Sequence, residues 1–133
     1  MKFVLIALAV IVVFIVANRV LAGNFMSPSE AAQRVADGAA VLIDVREPSE
    51  WASSGVAAPA VLLSLSDLHS ERVTWKAFLE KNKNKELILY CRSGNRSGVA
   101  VSILAEEGFQ VANAGGFKHW KSAGQPVRSV DQD

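Results

Sequence analysis

The chain has only one cysteine, Cys91, and two histidines, His69 and His119, in 133 residues. A lone cysteine excludes an internal disulfide, so its thiol is buried and inert, paired with another molecule, or used in chemistry. The histidines lie 50 positions apart, with no second cysteine and no metal-ligand spacing, so neither a metal site nor a cofactor is expected. An excess of charge of one sign is also missing: 14 basic residues face 13 acidic ones, a formal net charge of +1. With no basic stripe, nucleic acid is not an expected partner. There is no internal repeat and no low-complexity tract. Half of the residues are hydrophobic, which suits one compact domain plus one extra segment.

The extra segment is the N-terminus. Fifteen apolar residues run unbroken from Phe3 to Ala17, between Lys2 on one side and Asn18 and Arg19 on the other. That length fits a signal-peptide core, whereas a spanning helix usually needs about 20 residues. Val20-Leu21-Ala22 ahead of Gly23 supplies small residues that a signal peptidase accepts, so residues 1–22 read as a cleaved signal peptide. The other reading is an uncleaved anchor, with Arg19 snorkelling to the interface and residues 20–22 lengthening the span. Either way the remainder is expected on the periplasmic side of a bacterial inner membrane. It is soluble there after cleavage near Ala22, or tethered with membrane contact only through residues 3–22. Removing residues 1–22 leaves 12 basic against 13 acidic residues, so the domain itself is close to neutral.

Beyond it, Ser27-Pro28-Ser29-Glu30 is a capping-box pattern that opens a helix through about Ala36. "AVLIDV", 40–45, reads as a strand buried on both faces, with further strands at 61–65, 87–90 and 109–112. Helices are expected at 72–81, with Val73 inward, and at 97–107, with Val99, Ala100, Ile103 and Leu104 inward. Gly115-Gly116 reads as a turn into a last helix, 117–123, and residues 129–133 as a flexible tail. Strands alternating with helices define an α/β fold with a central, mostly parallel sheet flanked by helices in three layers.

In such sheets ligands bind beyond the carboxyl ends of strands, and "YCRSGNRSGVA", 90–100, lies at one. Here Cys91 is expected as the first residue off its strand, ahead of a helix. A helix N-terminus turns N–H groups and a partial positive charge toward one point. Gly94 and Gly98 permit close backbone approach, while Arg92 and Arg96 add two fixed positive charges. All of this favours an anion at Cys91 and a lowered thiol pKa, the requirement for a sulfur nucleophile. Phosphatases and arsenate reductases of this general style place five residues between Cys and Arg. Here four lie between Cys91 and Arg96: Arg92, Ser93, Gly94 and Asn95. The tighter ring suits a smaller adduct, such as one extra sulfur atom. A non-catalytic module that binds sulfide, a thiol or a partner protein through the same cradle is the remaining reading.

With "CRSGNRS" at 91–97, "LIDVREPSEW" at 42–51 and "LAEEGFQVANAGGFKHWKSAGQPV" at 104–127, the chain resembles a single-domain rhodanese, a sulfurtransferase family. The resemblance covers about residues 27 to 127 and implies a rhodanese-like domain over 27–128. By that resemblance Cys91 is the catalytic residue and carries sulfane sulfur as a persulfide. The donor is a small sulfur-containing anion such as thiosulfate, and the acceptor is cyanide or a thiol. The resemblance further implies that the N–H groups from Arg92 to Ser97 stabilise the persulfide, that Arg92 and Arg96 steer the donor, and that the domain is a monomer. Asp44 and Arg46 are expected to orient one another and Glu50 beneath the site. One stretch departs from the family pattern: Val56 replaces a His and Ser64 a Pro, which implies altered hydrogen bonding at the rim.

Overall fold

The computed structural model describes residues 24–131. The signal peptide or anchor expected at 1–22 lies outside the described residues, as do the last two residues of the expected tail. No helix among the described residues is long and apolar enough to cross a membrane.

Ser27 caps α1 (Pro28–Ala36) by accepting the Glu30 N–H at 3.2 Å, and Pro28 supplies the preset φ of a first helical turn. Arg34 ties this helix to the sheet, bonding Glu30 at 2.8 Å and Glu86 at 2.7 Å. The sheet contains β1 (Ala40–Asp44), β3 (Val61–Leu62), β4 (Glu86–Cys91) and β5 (Val111–Gly116), in the order β3-β1-β4-β5, with every pair parallel. Parallel strands need crossovers that place helices over both faces. Alternate residues of each strand therefore enter two separate cores. On one face Ile43, Val45, Leu87, Leu89 and Cys91 meet α3 (Leu65–Leu68), α4 (Trp75–Lys81) and α5 (Asn95–Glu106). On the other, Leu42, Ile88 and Tyr90 meet Ala31 of α1 and Phe117 and Trp120 of α6 (Phe117–Ser122). The three-layer α/β expectation holds.

The register pairs Ala40 with Glu86 through Asp44 with Tyr90. The carboxyl ends of the two central strands are therefore level, and the loops that leave them emerge side by side. A two-stranded antiparallel pair, β2 (Val56–Ala57) with β6 (Val127–Arg128), stands apart from this sheet. Arg128 reinforces it by donating to the carbonyls of Ala58 at 3.1 Å and Ala60 at 2.9 Å.

Several expected boundaries move, two of them because a side chain caps the backbone. The strand expected at 61–65 stops at Leu62, since Ser64 accepts the Asp67 N–H at 3.3 Å and opens α3. The helix expected from Arg72 begins at Trp75. The Asp67 carboxylate takes the Val73 and Thr74 N–H groups, both at 3.0 Å, and Arg72 turns with φ of +57°. Val73, expected inward, is consequently 73% exposed. On α5 it is Val101 that is buried, while Val99 faces out. The last strand extends to Gly116, so Gly115 and Gly116 end β5 instead of forming a separate turn. Two helices were not anticipated: α3, and α2 (Pro48–Ser54), opened by Pro48, with the Glu50 carboxylate accepting the Glu47 N–H at 3.3 Å.

Leu89 sits at the centre of the larger core with no exposed surface. Leu89→Ala is expected to cost about 2–5 kcal/mol. In urea unfolding the midpoint should fall with an unchanged slope.

Candidate active site

Cys91 is the last residue of β4, opposite Gly116 of β5, and not the first residue beyond the strand as expected. Strand alternation points it into the same core as Leu87 and Leu89, and only 1% of its surface is exposed. The chain then reverses within three residues. Gly94 adopts φ of +103°, a left-handed conformation that glycine takes at little cost, and caps α5. The turn aims the Gly94 N–H at Cys91 Sγ, 3.0 Å away, and brings Ser97 Oγ to 3.4 Å from the same atom. Burial is the largest influence on the thiol and pushes its pKa up. The Ser97 hydroxyl and the N–H groups of Ser97, Ser93 and Gly94 outweigh it, leaving the pKa below its ordinary value.

The two arginines play different parts. Arg96 lies in the first turn of α5 and makes a two-pronged ion pair with Glu50, at 2.6 and 2.8 Å. The Arg96 guanidinium holds the Glu50 carboxyl down to about 2, helped by the Glu47 N–H and opposed by partial burial. Its charge is thus largely compensated before it reaches the sulfur. Arg92 is exposed and makes no ion pair among the described residues. Of the groups expected to favour the thiolate, the hydrogen-bond donors lower the thiol most, while Arg96 keeps a through-space interaction with the sulfur. Ser93 and Asn95 are exposed on the turn, and Ser97 is fully buried.

Behind this loop Asp44, with no exposed surface, accepts bonds from the Arg46 backbone at 2.9 Å, the Arg46 guanidinium at 2.8 and 3.1 Å, and Trp51 Nε1 at 3.0 Å. Arg46 also donates to Ser54 Oγ at 2.8 Å and to the Gly55 carbonyl at 2.7 Å, and lies 4.6 Å from the centre of the Phe117 ring. Asp44 and Arg46 do orient one another. Glu50 is different: its hydrogen-bond partner is Arg96, while Arg46 acts on it only through space. Val56 is core, and Ser64 caps α3 while its carbonyl accepts Trp75 Nε1 at 2.8 Å. Both departures from the family pattern are thereby absorbed structurally.

Four participants were not singled out from the sequence as part of the site. Asn113 on β5 bonds the Gly94 carbonyl at 2.9 Å, the Gly115 N–H at 2.9 Å and Ser97 Oγ at 2.8 Å. Nothing in the sequence signals this, because it depends on how β5 lies against the loop. Phe25 lies so close to Gly94 that a Cβ there would meet the ring at 2.5 Å. Lys118 and Lys121 join Arg46, Glu50, Arg92 and Phe117 around a cavity of about 450 Å³. Cys91 adjoins this cavity through Arg92 and does not itself line it. Phe117 both fills the core, stacked 6.0 Å from Tyr90, and lines that cavity, whereas Trp120 is core. His119 Nδ1 accepts the Gly116 N–H at 3.0 Å. At Gly116 itself a side chain would overlap the Arg92 carbonyl.

A thiol held by amide donors, between the end of a central parallel strand and a helix N-terminus, defines an α/β domain with a cysteine loop at the carboxyl edge of its sheet. The family model for the rhodanese-like domain matches residues 27–123, and the chain belongs to that family. It is 34% identical over 107 residues to a sulfurtransferase of Allochromatium vinosum, covering 78% of this chain and 94% of that one. It is 30% identical over 98 residues to the thiosulfate sulfurtransferase GlpE of Pseudomonas syringae, covering 71% and 85%. An uncharacterized Synechocystis protein matches at 34% over 104 residues, 77% of this chain, and the chain spans only 54% of its length. Among solved structures, the human single-domain sulfurtransferase TSTD1 superposes with a TM-score of 0.60 at 27% identity, covering 74% of this chain and 95% of that one.

Because the folded Glu50 pKa, about 2, lies below its ordinary 4.5, the pair with Arg96 adds stability that is complete above pH 4.5 and disappears as pH falls toward 2. Glu50→Gln should therefore cost about 0.5–1 kcal/mol at pH 7, a half-exposed pair being screened. The deficit should shrink through that acid window in denaturation measured as a function of pH.

Proposed function

We propose that the domain is a sulfurtransferase that carries one sulfane sulfur on Cys91. The observation that carries this reading is the cradle at Cys91 Sγ, with the Gly94 N–H at 3.0 Å and Ser97 Oγ at 3.4 Å. Those donors suit a small anionic sulfur. The four-residue spacing to Arg96, closed by the Arg96–Glu50 pair, leaves little room for a tetrahedral oxyanion on the sulfur. The names of two relatives at 30% identity or more support the same class.

With thiosulfate as donor, the Cys91 thiolate attacks the outer sulfur. The sulfur–sulfur bond of thiosulfate breaks, and sulfite leaves with the electron pair. Cys91 then holds a persulfide whose charge rests on the terminal sulfur. Cyanide or a thiolate attacks that sulfur in turn, leaving as thiocyanate or an organic persulfide and returning the Cys91 thiolate. Oxidation states balance across the two displacements, so no external oxidant or reductant enters. The donor approaches through the cavity bounded by Arg92, Lys118 and Lys121. These cations attract an anion at long range. Cys91 is enclosed, so the donor passes the exposed Arg92 and Ser93 to reach it. Residues 1–22 serve export, as a cleaved signal or as an anchor. The intact mass of the native protein distinguishes the two.

Incubation with thiosulfate, free of reducing agent, is expected to add the mass of one sulfur atom to the protein, and Cys91→Ser to abolish the addition. No adduct on the wild-type protein would overturn the sulfurtransferase reading in favour of a binding module. Arg92→Glu combined with Lys118→Glu should slow labelling by thiosulfate about tenfold at low salt, with the gap closing as ionic strength rises. Stopped-flow labelling across a salt series checks this.

A further inference from the structure

Ser97 and Asn113 share a proton in a way that the sulfur-carrier reading alone does not require. The Asn113 side chain is fixed at both ends by backbone: its Nδ2 donates to the Gly94 carbonyl and its Oδ1 accepts the Gly115 N–H, both at 2.9 Å. Turning the amide over would set donor against donor and acceptor against acceptor, so Oδ1 is the atom that faces Ser97. Ser97 Oγ lies 2.8 Å from that oxygen and 3.4 Å from Cys91 Sγ. Oδ1 can only accept, and a hydroxyl carries one proton. Ser97 therefore cannot donate to Asn113 and to the sulfur at once.

We infer that Asn113 and Cys91 compete for the Ser97 hydroxyl proton, which Asn113 holds while the sulfur is a thiol and the sulfur holds once it is a thiolate or persulfide. In the thiol state the Ser97 oxygen offers its lone pairs to the sulfur, and an S–H can donate to them. On ionisation the thiol proton goes to solvent, and the hydroxyl merely turns about its Cβ–Oγ bond, so no covalent bond changes. Asn113 Oδ1 then keeps the Gly115 N–H and is not left orphaned. The sulfur gains a charge-assisted bond, stronger than the neutral one given up. Asn113 is a positioning residue in this scheme: it acts on the sulfur through Ser97.

The charged and titratable groups near the loop are Arg92, the Arg96–Glu50 pair, and Lys118, His119 and Lys121 on α6. From β1 and the residue after it the cysteine's core receives only apolar side chains, Val41, Ile43 and Val45. All of these groups are unchanged in the variants that follow.

The inference rests on Cys91 being the nucleophile, and its test needs no sulfur donor. Rates of alkylation by iodoacetamide are measured across a pH series for wild type, Ser97→Ala, Asn113→Leu and the double variant. Below the thiol's titration Ser97→Ala should react about three- to tenfold more slowly, for loss of one hydrogen bond to the thiolate. Asn113→Leu frees Ser97 for the sulfur and should react about two- to threefold faster, with no further effect in the Ser97→Ala background. A purely structural role has the opposite sign, because loosening Gly94 would withdraw an N–H from the sulfur. An Asn113→Leu variant slower than or equal to wild type overturns the proton sharing. So does one that is faster even without Ser97. A second measurement needs no Asn113 variant: the Gly115 amide proton should shift as Cys91 titrates in wild type, and markedly less in Ser97→Ala. Equal shifts in both would overturn the inference. Because alkylation and thiosulfate labelling are separate experiments, failure of the first leaves the sulfurtransferase result standing, and the reverse also holds.

Discussion

The Asp44 carboxylate is the point from which the rest of the site is hung. It has no exposed surface, yet it stays paired because Arg46 and Trp51 surround it with donors. Burying such a pair gains little stability over an apolar filling, but removing one partner leaves a charge stranded and is costly. What the pair provides here is position. Arg46 reaches from it to Ser54 and the Gly55 carbonyl, the far end of α2. That helix presents Glu50, Glu50 grips Arg96, and Arg96 belongs to the first turn of α5, whose cap faces Cys91. Four elements therefore locate the sulfur's donors, though only one of them carries the cysteine.

Within the cradle, fixed dipoles carry most of what dipoles and free charges together were expected to do. A guanidinium at the surface is screened by water and salt, whereas an N–H 3.0 Å from a buried sulfur is not. The arginine nearest the sulfur along the helix is compensated by a carboxylate, and the other stays at the mouth of the cavity. Binding and attraction are thus divided between different groups. Hydrogen-bond donors surround the sulfur, and the cations stand at the cavity outside it.

The fold class, the central strands and the position of the cysteine loop at a strand's carboxyl end were legible from residues 27 to 127, because hydrophobic period and capping residues are local signals. Boundaries failed where a side chain from elsewhere intercepted the backbone, as Asp67 does at Val73 and Thr74. The short strand ending at Leu62 failed for a similar reason, since Ser64 reads equally well as strand or as cap. Asn113 was invisible for a deeper reason. It lies in an unremarkable strand sequence, and only the parallel register of β4 and β5, broken between Leu89 and Cys91, lays it against Gly94 and Ser97. Glu50 was seen, but its partner was not, because 46 residues separate it from Arg96.

Phe25 covers Gly94 and Gly115 with a ring still 47% exposed, and the next residue donates its N–H to the Asn113 carbonyl at 2.8 Å. The described chain therefore enters the domain against its own nucleophilic loop and not at a distant corner. Two neighbouring residues, Phe25 and Met26, thus lie against the elements that hold the sulfur's hydrogen-bond donors, with Met26 also packed on the smaller core. Packing at Phe25 and hydrogen bonding at Met26 are therefore local to the turn that carries Gly94, and a change at either residue bears on the spacing of the sulfur's donors.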